Sequence, residues 1–417
     1  FLAQLPRIPG IHLVAVADTA PGKTESAMDM VAWPQERRVK TIDEALRTGA
    51  TAVIDNADPL FDGQVDIVVD ATGNPIAGIA FALRAFENGI HIIMVNVEAD
   101  ALAGPALAAR ARQAGVVYSL AYGDQPAIIA ELVDWARTSG FEVTCAGKGT
   151  KYLPGYHELN PDNIWSIWPF SEEFIKAGPL NPYMYTSFRD GTKAAIEMVA
   201  VAHACRLIPP DAGLSFEPAD AHDLAKVLCP KAEGGVLDRV GTVDVVSALY
   251  RDGTWIRDHI QEGLFVVVPS DNPYTKTSFV ESGWDSNGDA YTALYRPYHY
   301  VGFELSVSVA EIGLYGEATG SAQGFYGDAV CVAKKDLLPG DVLDGEGGFC
   351  VWAKAISAKT SVAVGALPIG ISHHMPVRRP VPRGAIVTWD DVEVPDSLEQ
   401  AVAIRREAEA LRCDEPS

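Results

Sequence analysis

Between residue 11 and about residue 145, short β-branched runs alternate with alanine-rich stretches whose apolar positions recur at helical spacing. That alternation is the pattern of a Rossmann-like, doubly wound parallel sheet of the α/β class. It predicts strands over 11–17, 65–70, 91–95, 116–120 and 141–145. Helices are predicted over 76–88, stopped by Gly89, over 96–113, closed by Gly115, and over 125–139.

The pattern then changes twice. From about 148 to 325, loops rich in Pro, Asn and Trp surround one helix predicted over 191–207, and period-two runs at 264–268 and 302–309 predict strands. From about 328, the stretches 329–343 and 377–394 each pair a strand with a proline or glycine turn and a second strand. Residues 397–411 read as an amphipathic helix. The expected division is a nucleotide-binding domain over 1–146, an α+β substrate, catalytic and dimerisation domain over 147–327, and a small β-rich domain with a terminal helix over 328–417.

Composition narrows the function more than the fold. The 417 residues are 48% hydrophobic and 21% charged, enough apolar material for two or three cores. With 33 basic and 55 acidic residues the net charge is −22, so the summed field repels phosphate backbones and anionic lipid headgroups. No apolar run approaches the roughly 18 residues of a membrane span. A small-molecule substrate and a cytoplasmic setting are expected, with neither nucleic acid nor membrane as partner. The six cysteines are scattered without a CxxC pair, which points to reduced, buried thiols. The adjoining His373 and His374 support a metal site only weakly, and no metal is expected.

Candidate chemistry gathers at strand ends. Asp18 stands where a second Rossmann strand should end, so its carboxylate either accepts from adenosine ribose hydroxyls, favouring NAD over NADP, or caps the turn before Pro21-Gly22. Lys23 would soften that preference. A glycine-rich phosphate loop is expected ahead of this strand, before Phe1, with residues 1–5 as the tail of a first helix. Ala71, Thr72 and Gly73 follow one strand, and Asn96 and Glu98 follow the next, at the edge where an open α/β sheet places its ligand. Asn74 and Asp100 could instead simply cap helices. Asp124 opens a helix, as a cap or as a polar contact in the cleft.

Gly147-Lys148-Gly149 and Lys151 read as a loop at the domain junction, where a partly desolvated lysine could act as a general acid. Glu197 lies within an apolar helical run, where burial is costly unless the carboxylate is paired or faces a site, the alternative being an exposed helix face. Arg296 and His299 offer an anion clamp or proton donor, or else belong to an aromatic strand.

Several blocks together resemble a known family. Asp70-Ala71-Thr72-Gly73, residues 94–100, residues 117–120, Ala146-Gly147-Lys148-Gly149, residues 190–198, residues 232–237, residues 296–299 and residues 332–336 resemble the deoxyxylulose-phosphate-reductoisomerase-like proteins. Those join a homoserine-dehydrogenase-like nucleotide domain to a C-terminal SAF domain. The resemblance implies a homodimeric NAD(P)-dependent oxidoreductase acting on a small polar hydroxy, keto or phosphorylated sugar-like compound, and in its narrowest form a reductoisomerase of isoprenoid synthesis. It places Asn96, Glu98, Lys148, Glu197, Arg296 and His299 in the cleft. The alternative from a different class is a non-catalytic protein that senses a dinucleotide.

Overall fold

The computed structural model describes residues 1–177, 180–270, 272–284, 286–287 and 290–412; Cys413 lies outside them. The α/β alternation is present, but it builds two three-stranded parallel sheets rather than one. In the first, β1 (Ala15–Ala17), β2 (Arg38–Val39) and β3 (Thr51–Ile54) run in the order β1-β3-β2. In the second, β4 (Ile67–Asp70), β5 (His91–Met94) and β6 (Tyr118–Leu120) run in sequence order. The helices Pro75–Glu87 and Val97–Ala114 return the chain between the strands of the second sheet. Asn74 caps the first of them, its Oδ1 accepting from the amides of Ile76 and Ala77 at 3.0 Å. The second is capped by Asn96, not by Asp100.

Asp100 is instead fully buried one turn into that helix, with Oδ1 accepting from Tyr118 Oη at 2.9 Å and Oδ2 without a partner. Burial pushes its carboxyl up to about 7, against the opposing pull of the Tyr118 hydrogen bond. A carboxyl raised in the folded state holds its proton more tightly folded than unfolded. Stability is therefore fully present below the unfolded value of about 3.9 and is lost as pH rises toward 7. Relative to Asp100→Asn, the wild-type protein is expected to lose on the order of 2 kcal/mol between pH 5 and pH 8. Denaturant unfolding at both pH values measures this, and parallel pH profiles would contradict it.

The middle of the chain forms a six-stranded mixed sheet. Its strands are β7 (Cys145–Thr150), β8 (Glu217–Pro218), β9 (Thr242–Ser247), β10 (Leu264–Pro269), β11 (Ser286–Asn287) and β12 (Tyr291–Arg296), in the order β11-β12-β10-β7-β9-β8. Side chains alternate between faces along each strand. Ala146, Val243, Val245, Leu264 and Val266 thus meet the helices Gln125–Thr138 and Thr192–Cys205 on one face. Cys145, Val246, Phe265 and Val267 pack against Leu224 and Leu228 on the other.

Two sequence expectations change here. Gly147-Lys148-Gly149 is a central strand rather than a junction loop. A Cβ on Gly147 or Gly149 would overlap the carbonyl oxygen of Asp244 or Ile260, so the glycines permit close strand contact on one face while Lys148 points to the other. The 302–309 run is a turn leading into the helix Ser306–Tyr315, closed by Gly316 in the left-handed region at φ 70°. Its short apolar alternation is compatible with either period, and the glycine cap decided the outcome.

The last strands, β13 (Gly327–Ala333) and β14 (Val351–Ser357), pair antiparallel. They share one continuous core with the helices of the second parallel sheet, and the terminal helix Glu399–Ala410 lies against Val97–Ala114. Arg405, fully buried, holds that contact through Asp328 Oδ2 at 2.5 Å and the Leu102 carbonyl at 3.2 Å. Among the described residues no helix is long and apolar enough to cross a membrane.

Candidate active site

The helix Thr192–Cys205 is apolar almost all round because it is the hub of the molecule, touching the Val97–Ala114 and Gln125–Thr138 helices, β9, β13 and β14. Its two charged interior residues, Lys193 and Glu197, are four apart and so share a face. That face opens on a cavity of about 910 Å³. The cavity is walled by Ala71–Ile76 at the end of β4, by Glu98 after β5, by Asp124 and Gln125, and by Lys148–Thr150 of β7. Residues 346, 370–371, 373–374 and 398 close it from the C-terminal side.

Two buried ion pairs lie side by side in it. Lys148, 8% exposed, is bonded to Glu197, 2% exposed, and Lys193 is bonded to Glu98. Burial works against the Lys193 ammonium, yet Glu98, Glu197 and Asp124 together hold its pKa above the ordinary lysine range. Asp124 both caps its helix, accepting from the Gln125 amide at 2.9 Å, and lines the cavity. Burial and then the Glu197 charge push its carboxyl up to about 6. His299 lines the mouth: Nδ1 donates to the Glu262 carbonyl at 2.9 Å, which leaves Nε2 to accept from the Gln125 amide at 2.9 Å. The C-terminal strands are bolted to this site. Lys334 Nζ donates to Asp190 Oδ2 at 2.7 Å, to the Leu159 carbonyl at 2.6 Å and to the Gly348 carbonyl at 2.8 Å, using all three of its protons.

Of the residues singled out in the sequence, Ala71, Thr72, Gly73, Glu98, Asp124, Lys148, Glu197 and His299 are thus brought to one cavity. Four are not. Arg296 is held outside it by Glu304 and by Tyr122 Oη at 3.1 Å, so its charge is already satisfied. Lys151 donates to the Ile167 carbonyl at 2.9 Å and does not reach the wall. Asn96 is a buried brace, its Nδ2 donating to Asp70 Oδ2 at 2.9 Å and the Asn74 carbonyl at 2.8 Å with Thr72 Oγ1 also 3.2 Å away, which fixes the 71–74 loop from behind. Gly78 admits this pair, since a Cβ there would come within 2.6 Å of Asn96 Nδ2. Asp18 is exposed at the carboxyl end of β1, where Oδ1 accepts from the Ala20 amide at 2.7 Å.

Sequence reasoning missed Lys193, Arg189 and Glu346. The four-residue spacing to Glu197 was the available signal for Lys193. Arg189 is 9% exposed, lies 4.3 Å from the Trp168 ring centroid, and has no ion-pair partner among the described residues. Its Nε also lacks a hydrogen bond. Among the described residues no group of three or more His, Cys, Asp or Glu side chains is arranged to hold a metal ion.

Two family models match the chain in succession. Residues 6–120 match the one described as homoserine dehydrogenase, NAD binding domain, and residues 123–305 the one described as oxidoreductase DRL, catalytic domain. Residues 6–120 are thus similar to the NAD-binding domain of homoserine dehydrogenase, and residues 123–305 to an oxidoreductase catalytic domain. Neither description names a SAF domain or a deoxyxylulose phosphate reductoisomerase. A comparison with curated proteins finds no match.

Among solved structures, a 3-ketoreductase from Actinomadura kijaniata, in complex with NADP, is 17% identical over 37% of this chain with a TM-score of 0.23, and this chain spans 44% of that one. A putative oxidoreductase from Bacteroides fragilis is 12% identical over 76% of this chain and 86% of its own, with a TM-score of 0.29. A probable dehydrogenase from Thermotoga maritima is 9% identical over 73% and 81%, with a TM-score of 0.32. Likenesses this distant carry no functional argument.

Proposed function

We propose that the cavity transfers a hydride between a nicotinamide dinucleotide and a small polar hydroxy or keto compound, sugar-like and carrying an anionic group. The observation that supports this reading most is the buried Lys148–Glu197 pair beside Lys193–Glu98, facing the 71–74 loop across one cavity. That loop suits the cofactor. It lies at the carboxyl end of a parallel strand, and Gly73 takes φ +63° with open space where a Cβ would stand, so the backbone can be approached closely. Asp18 at the end of β1 would accept from a ribose hydroxyl and repel a 2′-phosphate, favouring NAD. When bound, the dinucleotide supplies or accepts the hydride.

The residues do the rest. In the reducing direction Lys148 Nζ donates a proton to the carbonyl oxygen as the carbon becomes tetrahedral, and Glu197 holds the ammonium aimed. Lys193 and Glu98 orient a neighbouring hydroxyl. Arg189, buried without an ion pair although the Glu262 charge acts on it, takes the anion-binding role that the sequence suggested for Arg296, its planar fork suiting an oxyanion.

Loss of reduced-nicotinamide absorbance, followed with NADH and NADPH against a panel of hydroxy and keto sugars with and without phosphate, tests the reading. Turnover restricted to anionic members is expected. Firm dinucleotide binding without turnover on any member would favour a sensor instead.

A further inference from the structure

Glu346 reaches the cavity from the C-terminal part of the chain, on the turn between β13 and β14, and belongs to neither of the two ion pairs. Three features hold that turn rigid. Gly345 takes φ +74° with the His373 ring where its Cβ would be, and Gly347 takes φ +63° with the Tyr183 carbonyl in the same place. On Gly348 a Cβ would overlap the Asp344 carboxylate, which caps the turn by accepting from the Phe349 amide at 2.5 Å and the Cys350 amide at 3.0 Å. Lys334 then ties the Gly348 carbonyl to Asp190, at the start of the hub helix. Close packing at these glycines, of which Gly347 meets backbone, and the Lys334 anchor hold the turn that brings Glu346 to the cavity wall.

The groups facing it set its state. Glu98 from the second sheet and Asp190 from the middle of the chain repel its negative form, Lys193 from the hub helix attracts it, and His373 from its own side lines the same wall. Desolvation of this half-buried carboxyl, then the Glu98 charge, push it up to about 8, which favours its protonated form. No hydrogen bond to another described side chain holds that proton. The cavity thus holds, besides the Lys148–Glu197 and Lys193–Glu98 pairs, a carboxyl that favours its protonated form.

We infer that Glu346 is a second acid–base residue of this cavity, exchanging a proton with a substrate hydroxyl next to the carbonyl that Lys148 serves. The inference rests on the reading of the cavity as the hydride-transfer site. It gives the C-terminal strands a part in the chemistry, since they carry the acid into a site whose other groups come from the rest of the chain. No oxidant or reductant is needed beyond the dinucleotide: Lys148 supplies the one proton that the reduction consumes, and Glu346 lends a proton to a neighbouring substrate hydroxyl and takes it back, with no net transfer.

The test uses Glu346→Gln, which keeps shape and hydrogen-bonding capacity but cannot transfer a proton, with Glu346→Asp as a second variant. Infrared difference spectra of wild type minus Glu346→Gln, recorded without any ligand from pH 6 to pH 10, should show a protonated carboxyl stretch that disappears as pH rises through about 8. Turnover of Glu346→Gln should fall about 100-fold in kcat with KM little changed and lose the basic limb of the pH profile, and Glu346→Asp should keep that limb. Dinucleotide binding should stay within twofold, which reports an intact fold. An ionised carboxyl across the whole range, or unchanged kcat and pH profile in Glu346→Gln, overturns the inference. So does a rise in KM alone, which would make Glu346 a binding group. Absence of turnover in wild type would refute hydride transfer itself, while the infrared titration still decides the state of Glu346.

Discussion

Replacing Lys148 with methionine is expected to lower kcat by about 10²–10⁴-fold while leaving dinucleotide affinity within a fewfold of wild type. Methionine matches the length and apolar stem of lysine, so the packing of β7 survives. What disappears is the one ammonium that a central strand aims into the cavity, buried beside Glu197. Its loss leaves Glu197 buried without its partner, but Lys193, one turn away on the same helix and already drawn toward that carboxylate, limits the cost to the fold. Steady-state kinetics together with a fluorescence titration of the reduced dinucleotide separates the two effects. Normal turnover would remove Lys148 from the chemistry.

The second large effect is structural. Gly149→Ala is expected to cost about 3 kcal/mol or more, or to prevent folding, because a single methyl would occupy the position of the Ile260 carbonyl oxygen. Backbone cannot swing aside as a side chain can, and the displaced strand would carry Lys148 away from Glu197. Gly155→Ala is the matched control, with no atom within 4 Å of its added Cβ, and should stay within about 0.5 kcal/mol of wild type. Equal denaturation midpoints for the two variants would show that β7 has more room than its contacts imply.

These two residues also show how far the sequence could be read. The strands and helices of the second parallel sheet were legible because each carries its own periodicity and most their own cap, whereas the elements Pro21–Met30, Arg38–Val39, Ile42–Thr48 and Thr51–Ile54 were not predicted, and the strand expected over 141–145 begins only at Cys145. Lys148 was legible as chemistry but not as structure, since glycine on both sides reads as a loop until the neighbouring strands show that nothing larger fits. Glu197 stood out because an apolar run makes a lone carboxylate costly. Lys193 sat at the start of the same run and drew no attention, although its spacing to Glu197 put both on one face.

Arg296 misled for the opposite reason. Its sequence neighbourhood promised an anion clamp, and only the fold reveals that Glu304 already neutralises it. Arg189 and Glu346 lie in irregular segments whose direction no periodicity encodes. The packing of β13 and β14 into the core of the second parallel sheet is likewise a long-range outcome, invisible to any local pattern.

Hydride transfer in this cavity is the central claim, and label transfer tests it most directly. With the reduced dinucleotide deuterated at the transferable position of its nicotinamide ring and an accepted keto compound, one deuterium per turnover should appear on the carbon that bears the new hydroxyl. Lys148→Met should slow that appearance in proportion to its loss of kcat. Product formed without the label, or label lost to water, would contradict direct hydride transfer and with it the catalytic roles of Lys148, Glu197 and the 71–74 loop.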